Sequence, residues 1–387
     1  MPSTAAPKPE QPTDPHQPDP GRPAGIGVVL ALLVTLLAGY PTAGADAVPA
    51  TRPATRPTVG AIRWDAWTGG AITREVERTL APAAYQHRLP WFATVRGDGD
   101  VTIDGSPQAV MDREIDFAAD AGLDYWAFLL YPERYEMSAA LRQYLASPNR
   151  RRIGFCVILH NNVGVPAAQW PAERDRLVAL LKEPGYQTVL DGRPLVYAFG
   201  LGDGGRSYPA DRVADFRRAA KEAGLNPYLV HMGWDPPADW AAHERHGFDA
   251  VSAYAHTGDR PSFAGFARGL ELGPWRRAAD AKVPYVPLVT TGWDKRPRKD
   301  HPVSWEKDAA YHRQESWPST ATPGEIAAHL GRGLAFVREH PDVCRANTLV
   351  VYAWNEHDEG GWLSPTWTKT GPDPRRLQAV RKVLRGE

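Results

Sequence analysis

The sequence predicts an α/β fold, a (β/α)8 TIM barrel in a single domain. Three observations carry that expectation. Short apolar runs alternate with segments of helical spacing through residues 58–387. Several of the runs are apolar at every position, as strands covered by helices on both faces must be. Eight such units over about 330 residues suit a closed barrel. An open doubly wound sheet is the alternative, but no Gly-x-Gly-x-x-Gly or Walker pattern follows a strand to favour it.

The elements follow in order. Val59–Arg63 reads as the first strand and Met111–Ala121 as a helix stopped at Gly122. Tyr125–Tyr131 is a second strand, Ser138–Leu145 a helix, and Ile153–Leu159 a third strand. Ala172–Lys182 is helical, and the turn Asp191-Gly192-Arg193-Pro194 announces a fourth strand at Leu195–Phe199. An amphipathic helix at Ala210–Ala223 ends at Gly224; Tyr228–His231 and Ala250–Tyr254 are strands five and six. Phe263–Lys282 supplies a helix, Tyr285–Thr290 strand seven, and Pro323–Glu339 a long helix. Thr348–Trp354 is strand eight and Pro374–Leu384 the last helix. Residues 64–110 and 291–322 are long insertions after strands one and seven. In a barrel both fall on the C-terminal face, where active sites are built.

Composition narrows the function. Lys plus Arg is 45 and Asp plus Glu is 45, so no basic excess points to nucleic acid. Two cysteines make neither a disulfide framework nor a four-Cys zinc site, and the histidine spacings predict no required metal; no cofactor is implied either. Cys156, inside a strand, reads as buried and inert, and a bond to Cys344 is not indicated. The 14 tryptophans suit either flat surfaces for sugar rings or a large core.

The N-terminus reads as an address. Residues 1–23 hold eight prolines and are expected to be disordered. The uncharged stretch Ala24–Tyr40, followed by small residues, makes 24–45 a secretory signal or an uncleaved anchor, with 46–57 a linker. The barrel is therefore expected outside the cytoplasm, with membrane contact only through that anchor.

The most informative stretch leaves strand eight. An apolar run passes directly into Asn355-Glu356-His357-Asp358-Glu359-Gly360-Gly361. Two carboxylates at a barrel rim suit glycoside chemistry, in which one gives a proton to the leaving oxygen and the other acts as nucleophile or base. Their proximity pushes their proton affinities apart. Glu356 and Glu359 are the catalytic candidates; the bland alternative is a solvated acidic loop. Trp354, Asn355 and Trp362 flank them as candidate sugar contacts. So do Trp64 and Asp65 after strand one, His160 and Asn161 after strand three, Tyr254 at the end of strand six, and Trp293 and Asp294 after strand seven. For each, loop packing is the alternative. His243-Glu244-Arg245-His246 lacks zincin spacing and reads as surface, and no Gly-x-Ser-x-Gly elbow appears.

Tyr352–Thr366, reading Tyr-Ala-Trp-Asn-Glu-His-Asp-Glu-Gly-Gly-Trp-Leu-Ser-Pro-Thr, resembles the closing motif of the WbsX-like proteins and the related glycoside hydrolase family 99 endo-α-mannosidases. Pro287–Arg298 is similar to that family's Gly-Trp-Asp segment, and Ala121–Phe128 and Asp191–Tyr197 are weaker echoes in the same order. The resemblance implies a (β/α)8 barrel and metal-free, retaining hydrolysis of an α-linked glycan. It implies that Glu356 deprotonates the sugar 2-hydroxyl to form a 1,2-anhydro sugar and that Glu359 is the acid/base; a covalent glycosyl-enzyme is the general alternative. Two segments depart. After strand three, His160-Asn161-Asn162 replaces an Ala-Asn-Glu-Asn-Trp type segment. After strand one, Arg63-Trp64-Asp65-Ala66-Trp67 replaces a Tyr- and Pro-rich opening. A carbohydrate-binding barrel without catalysis, and a transglycosylase or transferase of polysaccharide assembly, are the other readings.

Overall fold

The computed structural model describes residues 56–200, 210–306 and 309–386. The expectations for 1–23, 24–45 and the linker through residue 55 lie outside the described residues.

Eight parallel strands form the barrel: β1 Thr58–Arg63, β2 Tyr125–Leu129, β3 Gly154–Leu159, β4 Arg193–Phe199, β5 Tyr228–Met232, β6 Ala250–Ser252, β7 Leu288–Thr290 and β8 Thr348–Tyr352. They neighbour one another in the order β7-β8-β1-β2-β3-β4-β5-β6. Between β6 and β7 the ring is joined just ahead of β7, where Val251 N–H donates to Pro284 O and Val286 N–H to Val251 O, each at 2.9 Å. The expected (β/α)8 barrel is the observed fold. β7 is shorter than the expected Tyr285–Thr290 because Pro284 and Pro287 have no N–H to give a ladder.

β1, β2, β5 and β8 show why the strands read as continuous apolar runs: nearly every residue is buried, one face on the barrel interior and the other under helices. Inside, Gly60 on β1 leaves room for the Tyr125 ring; a Cβ there would lie 2.1 Å from it. The Tyr125 hydroxyl can then bond Tyr197 Oη and Thr348 Oγ1, both at 3.0 Å. Outside, the long helix Pro323–Glu339 begins with a reciprocal capping box between Thr322 and Glu325. Among the described residues no helix is long and apolar enough to cross a membrane.

The insertions contain structure the periodicity did not reveal: a helix at Gly70–Leu80, a hairpin of Ala93–Gly97 with Asp100–Ile103, and a short helix at Arg296–Asp300. The two insertions are tied together. Ser304 Oγ donates to Glu75 Oε1 at 2.6 Å, Arg78 Nη2 to Pro302 O at 2.6 Å, and Arg88 Nη1 to Asp294 O at 2.9 Å. The β1 and β7 loops thus make one wall beside the end of β8.

Candidate active site

The β8 loop is held by its glycines. Asn355–Glu356 pairs antiparallel with Gly361–Trp362, and Gly360 turns the chain between them with φ +84°. A Cβ on Gly360 would lie 2.6 Å from Asp294 N, and one on Gly292 2.1 Å from Gly360 O. These two glycines let the β7 and β8 loops touch, so that Asp294 N–H donates to Glu359 O at 2.6 Å. Beneath them the buried His357 donates from Nδ1 to Arg88 O at 2.6 Å and accepts from Ser364 Oγ at Nε2 at 2.8 Å. Burial pushes its pKa down to about 3, which keeps the ring neutral for both bonds. Gly360→Ala is therefore expected to destabilise the protein by about 1–3 kcal/mol, read from the urea midpoint, because the added methyl meets strained backbone and the partner loop together.

Glu356 and Glu359 line one cavity of about 570 Å³ at the C-terminal end of the barrel, within the usual range for a ligand site. Its walls are largely aromatic, including Trp64, Tyr131, Tyr135, Trp234, Trp293 and Trp305. Glu356 is 2% exposed. Its Oε1 accepts from Tyr254 Oη at 2.6 Å, while Oε2 has no hydrogen-bond partner among the described residues. Burial and the neighbouring Glu359 carboxylate push its pKa well above the ordinary carboxylate range, against the pull of Arg298 and the Tyr254 hydroxyl. Glu359 is differently placed. Its Oε1 lies 2.5 Å from Arg298 Nη1 and 2.9 Å from Lys295 Nζ, and Tyr352 Oη donates to Oε2.

Arg298 is the hub. It is 1% exposed, grips Asp358 from Nε at 2.7 Å and Nη2 at 3.2 Å, reaches Glu306 Oε2 at 3.1 Å, and lies 3.8 Å from Glu356 Oε2. Its guanidinium also sits 5.0 Å from the centroid of the Trp64 ring, a cation–π contact. A Tyr254→Phe substitution removes a donor that favours the ionised form of Glu356. Glu356 is then expected to take up its proton about one pH unit higher, as read from its carboxyl ¹³C resonance.

Of the expected sugar contacts, Trp64, His160, Tyr254 and Trp293 line the cavity with the two glutamates. His160 stacks on Phe199, which stacks on Tyr254, with centroids 5.4 and 4.5 Å apart. The indole Nε1 of Trp293 is buried without a hydrogen-bond partner. Asn161 opens the turn Asn161–Gly164 that follows β3.

Five others do not line this cavity. Asp65 is buried against Arg63, which donates to it at 2.9 and 2.8 Å, and accepts from Asn355 Nδ2 at 3.0 Å. Asn355 spends its other group on Trp64 N–H at 2.9 Å, so it fixes the loop rather than facing a ligand. Asp294 is saturated by Arg88 and Arg296; burial opposes its charge, but these arginines hold its pKa below the usual value. Trp354 is fully buried against Trp126, with its Nε1 on Glu114 Oε1 at 3.1 Å. Trp362 lies between His357 and Arg376, whose guanidinium is 3.6 Å from the ring centroid.

Sequence reasoning missed Tyr131, Trp234, Lys295, Arg298, Trp305 and Glu306, all cavity-lining. Among the described residues no cluster of three His, Cys, Asp or Glu is arranged to hold a metal ion.

No family model matches the chain, and no curated protein matches its sequence. Among solved structures it is similar to a glycoside hydrolase-like protein, with TM-score 0.56 and 14% identity over 88% of this chain and 97% of that one. It is also similar to the GH99 endo-α-mannosidase from Bacteroides thetaiotaomicron. One structure of that enzyme, in complex with Bis-tris propane, has TM-score 0.53 and 10% identity over 85% of this chain and 97% of the other. A second has TM-score 0.52 and 11% identity over 85% and 96%. At these identities the likeness is one of fold, and the chain shares its barrel architecture with the family that its β7 and β8 motifs resemble.

Proposed function

We propose that the chain is an exported glycoside hydrolase that acts on an α-linked poly- or oligosaccharide with retention, using Glu356 and Glu359. The observation that carries this reading is the meeting of both carboxylates in one aromatic-walled cavity, one of them with an unpartnered buried oxygen. Such walls offer flat apolar faces to sugar rings, and a carboxyl whose pKa is raised by burial is, once ionised, a stronger base than a solvated one. The names of the fold neighbours agree with this class of chemistry. Export rests on the uncharged stretch Ala24–Tyr40.

In the roles the resemblance implies, Glu356 takes the proton of the 2-hydroxyl as that oxygen attacks the anomeric carbon. The bond to the leaving oxygen breaks, and Glu359 supplies that oxygen's proton. Water then attacks the anomeric carbon and gives a proton to Glu359 as base, the bond from that carbon to O2 breaks, and Glu356 returns its proton to O2; this restores both carboxyls and the starting anomeric configuration.

One observation favours a second reading, a carbohydrate-binding barrel without catalysis: Glu359 is ion-paired to both Arg298 and Lys295. A panel of α- and β-linked glycans separates the two. Release of reducing ends by the protein supports hydrolysis and identifies the substrate class. Tight binding on the same panel with no release sinks the hydrolase reading and favours the second.

A further inference from the structure

A third carboxylate faces the cavity and has no part in the reaction just described. Glu306, on the insertion after β7, places Oε1 2.7 Å from Lys295 Nζ and Oε2 3.1 Å from Arg298 Nη1, and accepts from Tyr311 Oη at 2.9 Å. These are the two cations that also hold Glu359, at 2.9 and 2.5 Å. Asp358 takes two further donors of Arg298. With Glu356, four carboxylates therefore gather around two cations in a site that is mostly buried. An excess of two negative charges at such depth is relieved by a bound proton, and the placement of the cations decides which carboxyl holds it.

We propose that Glu306 is a positioning residue: by holding Lys295 and Arg298 in a bridge shared with Glu359, it keeps their full charge from bearing on Glu356, so that one proton stays between the two glutamates, the proton that the leaving oxygen takes up. The use of that proton rests on the hydrolase reading; the arrangement of charges does not.

The neighbours of Glu356 are Tyr254 from the end of β6, Tyr131 beyond β2, Tyr352 from β8, Arg298 from the β7 insertion, and Asp358 and Glu359 from its own loop. Of these only Arg298 is a cation, at 3.8 Å. Burial opposes the charge of Glu306, yet Arg298 and Lys295 hold its pKa down at about 2, so it stays ionised and keeps drawing on both. Removing that negative charge strengthens the field of Arg298 and Lys295 at Glu356. The ionised form of Glu356 gains, and its proton leaves at lower pH.

The test uses the full chain with ¹³C-carboxyl-labelled glutamate, and the Glu356 resonance is assigned by its loss in Glu356→Gln. Glu306→Gln is expected to lower the midpoint of that resonance by about one pH unit. Glu306→Asp, which keeps the charge, is expected to return it most of the way. An unchanged or raised midpoint in Glu306→Gln overturns the proposal. Should that variant fail to fold, Lys295→Gln serves with the opposite sign. It is expected to raise the midpoint, and a midpoint that stays or falls overturns the proposal. The titration needs no substrate, so glycans that go uncleaved count against the hydrolase reading alone.

Discussion

Glu359→Gln is expected to lower release of reducing ends from a natural glycan by about 10²- to 10⁴-fold, the usual contribution of a positioned acid or base. The substitution keeps the shape of the side chain but places an amide where Tyr352, Lys295 and Arg298 all donate. It cannot deliver a proton to a departing oxygen. Aryl glycosides with acidic leaving groups need no such proton, so on them the loss is expected to be far smaller. Glu356→Gln is expected to lose activity on both substrate types, because the base that prepares the attacking oxygen is needed whatever departs. Equal losses on natural and activated substrates in Glu359→Gln would sink its assignment as the acid. Folding of each variant is checked by its thermal transition, since both side chains lie in the ion cluster.

The architecture was legible because parallel strands under helices must be apolar on both faces, and β2 and β8 therefore stand out as unbroken runs. The helix Gly70–Leu80 was not, since it opens on Gly69 and Gly70 at φ +96° and +91° and two of its four buried residues are threonines. The helix Pro236–His243 was missed although Asp235-Pro236 is a start signal, with the Asp235 side chain accepting from Ala238 N–H at 3.4 Å. The two glutamates were legible because a strand end fixes where a loop begins. Which neighbours share their cavity was not, because closeness in sequence does not fix which way a side chain points. Trp354 and Trp362 flank the glutamates and are packed elsewhere. Asp65 and Asp294 each carried a warning, an arginine two residues away in Arg63 and Arg296, which takes up the carboxylate. Lys295 and Arg298 lie in a long insertion whose fold the periodicity does not show, and only the packing of one insertion on the other buries them.

Arg298→Met is expected to be the most damaging single change outside the glutamate pair. Removing one partner of a buried ion pair typically destabilises by about 3–5 kcal/mol, because the other charge stays buried without compensation. Here one guanidinium serves Asp358, Glu359 and Glu306 and lies near Glu356, so its loss leaves several carboxylates crowded together. Arg298→Lys is not expected to rescue the protein. An ammonium cannot reproduce the fork that grips Asp358 from Nε and Nη2 while Nη1 faces Glu359 and Glu306. The sign of the pH dependence follows. Burial already raises the pKa values of Asp358 and Glu356 above their ordinary range, and Arg298 opposes this in both. Without Arg298 both rise further in the folded state, while in the unfolded chain they stay near about 4. A carboxyl raised in the folded state favours folding while protonated and loses that advantage as pH rises through its folded value. The deficit of Arg298→Met relative to the parent is therefore expected to be smaller near pH 5 than near pH 8. Urea unfolding across that range measures it directly. A deficit that does not depend on pH would mean that Arg298 acts through packing against Trp64 and Trp305 and not through its charge.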